Sequence, residues 1–160
     1  MSRFLTVLLL TVLLTACAPR APQPQGTPPE PTQSAPTPIS SGNWTVELNQ
    51  SGGIMGLQRN VTITSDGKVV MVDKHTNQIV NSQLSPKDLS QFKSLLDSLV
   101  FDNSGSRSSG CADCFYYDLE IQTGTQHFLI QLDDVSLADS DFKPLVVYLR
   151  GLMDQAFQLK

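Results

Sequence analysis

The sequence predicts an α+β domain: a mainly antiparallel sheet with two helices on one face, in the order β-β-β-(β)-α-β-β-α. Three observations carry this expectation. Segments between Trp44 and Leu84, and again from Phe115 to Leu132, alternate apolar and polar residues, the period of half-buried strands. Short turn signals at Ser65-Asp66-Gly67-Lys68 and Thr123-Gly124-Thr125 make successive strands return as hairpins, hence antiparallel. Two further segments repeat apolar residues at three- and four-residue intervals, the helical period, and such helices cover the apolar face of a sheet.

The chain begins with a basic residue, Arg3, then an apolar run from Phe4 to Leu14, then Thr15-Ala16-Cys17. The run is about eleven residues, well short of the roughly 20 a spanning helix needs, so it reads as an export signal over residues 1–16. Leu14, Ala16 and Cys17 resemble the Leu-x-[Ala/Gly]-Cys box of bacterial lipoprotein precursors. That resemblance implies a diacylglyceryl group, with palmitate-type chains, on Cys17, cleavage before it and acylation of the new amine. The partner it implies is a lipid bilayer, with the rest of the chain in the cell envelope outside the cytoplasm. Ala18, rather than Asp, is similar to the pattern sent to the outer membrane in diderm bacteria. One acyl chain gives only marginal binding, at about 0.8 kcal/mol per buried methylene, whereas two or three on one cysteine make attachment lasting. An ordinary secretory signal with a chance cysteine at its exit is the alternative.

Eight of the ten prolines fall between Ala18 and Gly42. Proline fixes φ and removes backbone donors, and the segment has too little apolar surface to fold, so residues 17–42 read as a disordered tether behind the lipidated cysteine. In polyproline II form its reach is on the order of 75 Å, at roughly 3.1 Å per residue.

The single domain is expected over residues 43–160. Trp44 to Leu48 alternates as a strand, and Ser51-Gly52-Gly53-Ile54-Met55-Gly56 follows as a glycine-rich turn. Arg59 to Thr64 and Val69 to Asp73 flank the Asp-Gly turn, and Ile79 to Leu84 fits a further short strand. Ser85 can cap a helix with Pro86 in its first position and Asp88 three residues on. Leu89, Phe92, Leu95, Leu96 and Leu99 form its stripe, to about Val100. A polar loop from Asp102 to Asp113 leads to a hairpin, Phe115 to Gln122 and Gln126 to Leu132. An acidic loop, Asp133 to Asp141, then precedes a helix with Pro144 in its first turn and Leu145, Leu149, Leu152, Met153 and Ala156 on its buried side.

From Asn43 onward nine Lys and Arg face fourteen Asp and Glu, a net charge of −5. An acidic surface with no basic cluster argues against nucleic acid and against docking on anionic lipid. With Cys17 acylated, Cys111 and Cys114 remain as an even pair in an oxidising setting, which predicts a disulfide. A bridge this short contributes only about 2 kcal/mol by loop-closure entropy, so it pins a loop. A thioredoxin-type site opens a helix after a parallel strand, whereas this pair leads into a strand. His75 and His127 lack metal-ligand spacing to the pair. Ser90-Gln91-Phe92-Lys93 matches Ser-x-x-Lys but sits in a helix without companion motifs. The acidic loop lacks the alternating ligands and central glycine of calcium loops. These readings predict a non-enzyme with no metal and no cofactor.

The least ordinary feature is the glycine-rich segment, where exposed Ile54, Met55 or Leu57 would give a partner adaptable apolar contact. A plain turn between strands is the alternative. The order of that segment, Ser65-Asp66-Gly67-Lys68, a leucine-rich helix and Cys111-Ala112-Asp113-Cys114-Phe115-Tyr116-Tyr117 is similar to emfourin-type domains, small bacterial inhibitors of thermolysin-like metalloproteases. The resemblance spans about Trp44 to Phe157 and implies a secreted or envelope metalloprotease as partner. It points to Gly52, Gly53, Gly56 and Asp113, which could equally be backbone-shaping positions; with Ile54 and Met55, the three glycines make the candidate partner-binding segment. The lipid anchor and stalk depart from the small soluble inhibitors. A structural or accessory envelope lipoprotein is the other functional expectation.

Overall fold

The computed structural model describes residues 39–101, 109–124 and 126–157. Nine elements follow in order: β1 (Trp44–Gly52), β2 (Leu57–Thr64), β3 (Lys68–Asp73), β4 (Gln78–Gln83), α1 (Pro86–Asp97), β5 (Phe115–Thr123), β6 (Gln126–Asp133), α2 (Asp134–Ala138) and α3 (Lys143–Ala156). The six strands form one antiparallel sheet in the order β4-β3-β2-β1-β5-β6, so the fold is α+β.

Alternation fixes which strand residues are buried, and register gathers them into rows across the sheet. Val69, Ile63, Val46, Ile121 and Phe128 make one row; Met71, Val61, Leu48, Leu119 and Ile130 make the next. Phe92 and Leu96 of α1 join the same core, with Leu145, Val146, Leu149 and Met153 of α3. Trp44, Phe92 and Tyr148 stack in series, ring centroids 5.6 and 5.4 Å apart, linking β1 to α1 and α3. Burying each such side chain is worth about 1.5–3 kcal/mol, so this core far outweighs any surface contact.

The helix ends follow local chemistry. The Ser85 side chain accepts from the Asp88 amide at 3.2 Å and donates to the Asp88 carboxylate at 2.6 Å. Asp88 therefore takes the cap hydroxyl instead of reaching back to the cap's backbone amide. The first helix stops at Asp97, not near Val100, because the Ser98 hydroxyl donates to the Leu95 carbonyl and the Leu99 amide turns back to Leu96. The acidic segment expected to be a loop contains a short helix, α2. Its cause is a capping box, in which Asp133 accepts from the Ser136 amide and the Ser136 hydroxyl accepts from the Asp133 amide, both at 2.8 Å.

The domain takes in residues ahead of Asn43. Ile39 packs on the core, and Ser40 donates from its amide and hydroxyl to Asp97, at 2.9 and 2.6 Å. Cys17, the box before it and most of the proline-rich segment lie outside the described residues. Among the described residues no helix is long and apolar enough to cross a membrane.

Candidate partner-binding turn

The rows of buried residues change character toward the β1–β2 turn. The last row runs Asp73, Arg59, Gln50, Tyr117 and Leu132, so four of its five members carry polar atoms on the core side. Arg59 donates to Asp73 at 3.1 Å and to Asp154 of α3 at 3.2 Å, and its guanidinium lies 5.4 Å from the Phe157 ring centroid. Asp73 also accepts from the His75 and Thr76 amides, at 2.9 and 3.1 Å. Burial alone would raise the Asp73 carboxyl, but the Thr76 amide, the Arg59 guanidinium and the His75 amide outweigh it and hold it below its ordinary 3.8.

Across the sheet Tyr117 donates to Asp134 at 2.7 Å, and the other Asp134 oxygen accepts from the Phe115 amide at 2.8 Å. Burial, and then the bond to Asp134, pushes the Tyr117 phenol upward, so it stays a donor. Arg150 of α3 sits over both rings, 5.9 Å from the Phe115 centroid and 5.4 Å from that of Tyr117. Next to them Asp133, fully buried, accepts from the amide and hydroxyl of Ser109. Those Ser109 bonds, with the Ser136 amide, hold the Asp133 carboxyl well below the usual range.

On this base stands the glycine-rich segment. The first strand runs on through Ser51 and Gly52, which pairs with Leu57 on one side and Phe115 on the other. The turn itself is Gly53-Ile54-Met55-Gly56, closed by the Gly56 amide on the Gly53 carbonyl at 3.0 Å. Gly52 and Gly53 have φ of +94° and +68°, a region costly to side-chain-bearing residues. A Cβ on Gly52 would lie 2.6 Å from the Cys114 carbonyl oxygen, and one on Gly53 would lie 2.5 Å from the Phe115 ring. Both glycines are therefore demanded by the backbone. Gly56, at φ +60°, faces open space.

The tip is the opposite of its base. Ile54 is 92% exposed and Met55 86%, whereas Leu57, also expected at the tip, starts β2 and is half-buried. Behind the tip, Cys111 and Cys114 form a disulfide, and the Gly53 amide donates to the Cys114 carbonyl at 3.1 Å. Tyr116 holds the far side of that loop, its hydroxyl donating to the Cys111 carbonyl at 2.5 Å. Asp113 is exposed on the loop.

The structure thus brings Gly52, Gly53, Ile54, Met55 and Gly56 together with Cys111 and Cys114. Other residues singled out in the sequence lie apart from it: His127 is bonded to Glu120 at 2.7 Å, and Ser90 and Lys93 lie along α1 with Phe92 buried between them. Among the described residues no three His, Cys, Asp or Glu side chains converge as metal ligands would. Gln50 lies beyond the expected first strand, which runs on to Gly52, and Arg59 and Asp73 read as polar strand ends. The signal was their phase: each keeps the alternation of its apolar neighbours, Leu48, Val61 and Met71, and so faces inward. Phe115, Asp134 and Arg150 carried no comparable signal. Neither a family model nor a curated protein matches the chain.

Proposed function

We propose that this protein is an exported lipoprotein, anchored in the cell envelope through acylated Cys17, whose domain is a non-catalytic binding module. Its docking element is the Gly52–Gly56 turn. We read the partner as a secreted or envelope protein, and the inhibitor-like order of motifs favours a thermolysin-like metalloprotease. The observation that carries this reading is the pairing of two nearly fully exposed apolar side chains with a base that fixes their backbone. Exposed Ile and Met are costly in water, and a rigid support lowers the ordering entropy a partner must overcome.

The decisive experiment measures thermolysin-like protease activity with the purified protein at micromolar concentration, alongside the Ile54→Ala/Met55→Ala variant. Inhibition that the variant loses supports the reading; no inhibition by either protein rejects the protease partner and leaves an accessory envelope role. For the anchor, Cys17→Ser is expected to shift the protein from the membrane fraction to the soluble one. Unchanged fractionation would count against lipidation.

A further inference from the structure

One contact of the candidate turn can be undone by a chemical reaction. The Gly53 amide is held by the Cys114 carbonyl, and Gly52 and Gly53 lie so near that carbonyl and the Phe115 ring that neither has room for a Cβ. The orientation of the Cys114 carbonyl therefore sets the turn. That carbonyl belongs to a loop whose ends, three positions apart in sequence, are closed by the disulfide. Its two residues are not equally exposed: Cys114 is buried, whereas Cys111 is half-buried beside exposed Gly110, Ala112 and Asp113.

We infer that the Cys111–Cys114 bond is a redox-addressable clasp on the turn, opened by a dithiol reductant. A reductant thiolate meets the Cys111 sulfur first, since that residue is the more exposed. A bond forms to Cys111, the Cys111–Cys114 bond breaks, and Cys114 leaves as a thiolate that takes up a proton. The reductant's second thiolate then attacks its own sulfur in the mixed disulfide, and Cys111 leaves and is protonated. Two electrons pass to the protein, and the reductant becomes a disulfide. The loop loses its covalent closure, and the Cys114 carbonyl is free to turn from the Gly53 amide. The strand ladders do not run through the bridge, so the sheet persists. Weaker partner binding on reduction rests on the reading of the turn as a docking element; the clasp itself does not.

Residue-level hydrogen exchange on the full-length protein tests this, oxidised and after dithiothreitol. The Gly53 amide is expected to exchange at least about tenfold faster once reduced, with Leu48 and Leu119 within about twofold of their oxidised rates. An unchanged Gly53 rate overturns the proposal. So does equal acceleration at Leu48 and Leu119, which would mean the bridge holds the sheet, or a bond that dithiothreitol cannot reduce in the folded protein. The Cys111→Ser/Cys114→Ser variant should reproduce the reduced pattern, and an oxidised-like rate there would also sink it. With glutathione, the acid-quenched mixed disulfide is expected on Cys111; recovery on Cys114 would refute the order of attack. None of these readouts needs a partner, so a failed protease assay leaves them standing.

Discussion

Two hairpin turns at opposite ends of β2 are built in different ways. The β2–β3 turn makes its own closing bonds: Asp66 accepts from the Thr64 hydroxyl and the Lys68 amide, and the Gly67 amide closes on Thr64, while Gln83 at the end of β4 and Leu84 after it donate to the Asp66 and Gly67 carbonyls. Those bonds, the Thr64 hydroxyl first, draw the exposed Asp66 carboxyl below its ordinary value. The β1–β2 turn leans instead on residues some 60 positions away, Cys114 and Phe115, while its own side chains point into water. The β2–β3 turn displays no apolar side chain, whereas the β1–β2 turn keeps two in water and takes its shape from a distant strand.

The comparison is broken most severely at the base. Arg59→Ala leaves Asp73 buried without its cation and should cost about 3–5 kcal/mol, measured by urea unfolding. The sign of the pH dependence follows from Asp73. Its folded pKa is depressed, so its contribution is full above the unfolded value near 3.8 and is lost as pH falls through the lower folded value. Asp73→Asn should flatten that acid limb; an unchanged slope would place the acid sensitivity elsewhere.

Next come the glycines. Gly52→Ala combines a strained φ with a clash against backbone and should cost about 2–4 kcal/mol. Gly56→Ala meets only the strained φ, about 1–2 kcal/mol, so equal losses would mean the brace is weaker than its geometry. Replacing Cys111 and Cys114 together with Ser should cost about 2 kcal/mol and leave a folded domain by circular dichroism. Least of all, Ile54→Ala/Met55→Ala should move stability by no more than about 0.5 kcal/mol, because the side chains touch water. A melting temperature that fell sharply would show that the pair packs on the domain.

How much of this could be read from the sequence follows the same division. The β2–β3 turn was legible because Asp66 and Gly67 state their own geometry. The caps at Ser85 and the strands with strict alternation were legible for the same reason, being local. The brace of the β1–β2 turn was half legible: Cys111 and Cys114 announced a bridge, and the glycines announced a turn. Nothing in either segment says that they touch, because that contact depends on β5 lying beside β1. Helix α2 was missed because its cap and first residue, Asp133 and Asp134, read as loop acids, though Asp133 and Ser136 have capping-box spacing. The inward charges of Arg59 and Asp73 were written in their phase, but polarity at a strand end masks phase.

The docking of Ile39 and Ser40 gives the domain a direction. Ile39 lies beside Thr123, whose hydroxyl donates to its carbonyl, and Thr123 pairs with Trp44, where β1 starts. The glycine turn begins where the same nine-residue strand ends, on the order of 30 Å away at roughly 3.3 Å per residue. The chain thus enters at one pole and presents Ile54 and Met55 at the other. Were the protein held by its amino-terminal side, a pull would meet the Ser40–Asp97 bonds and the start of the sheet first, far from Ile54 and Met55.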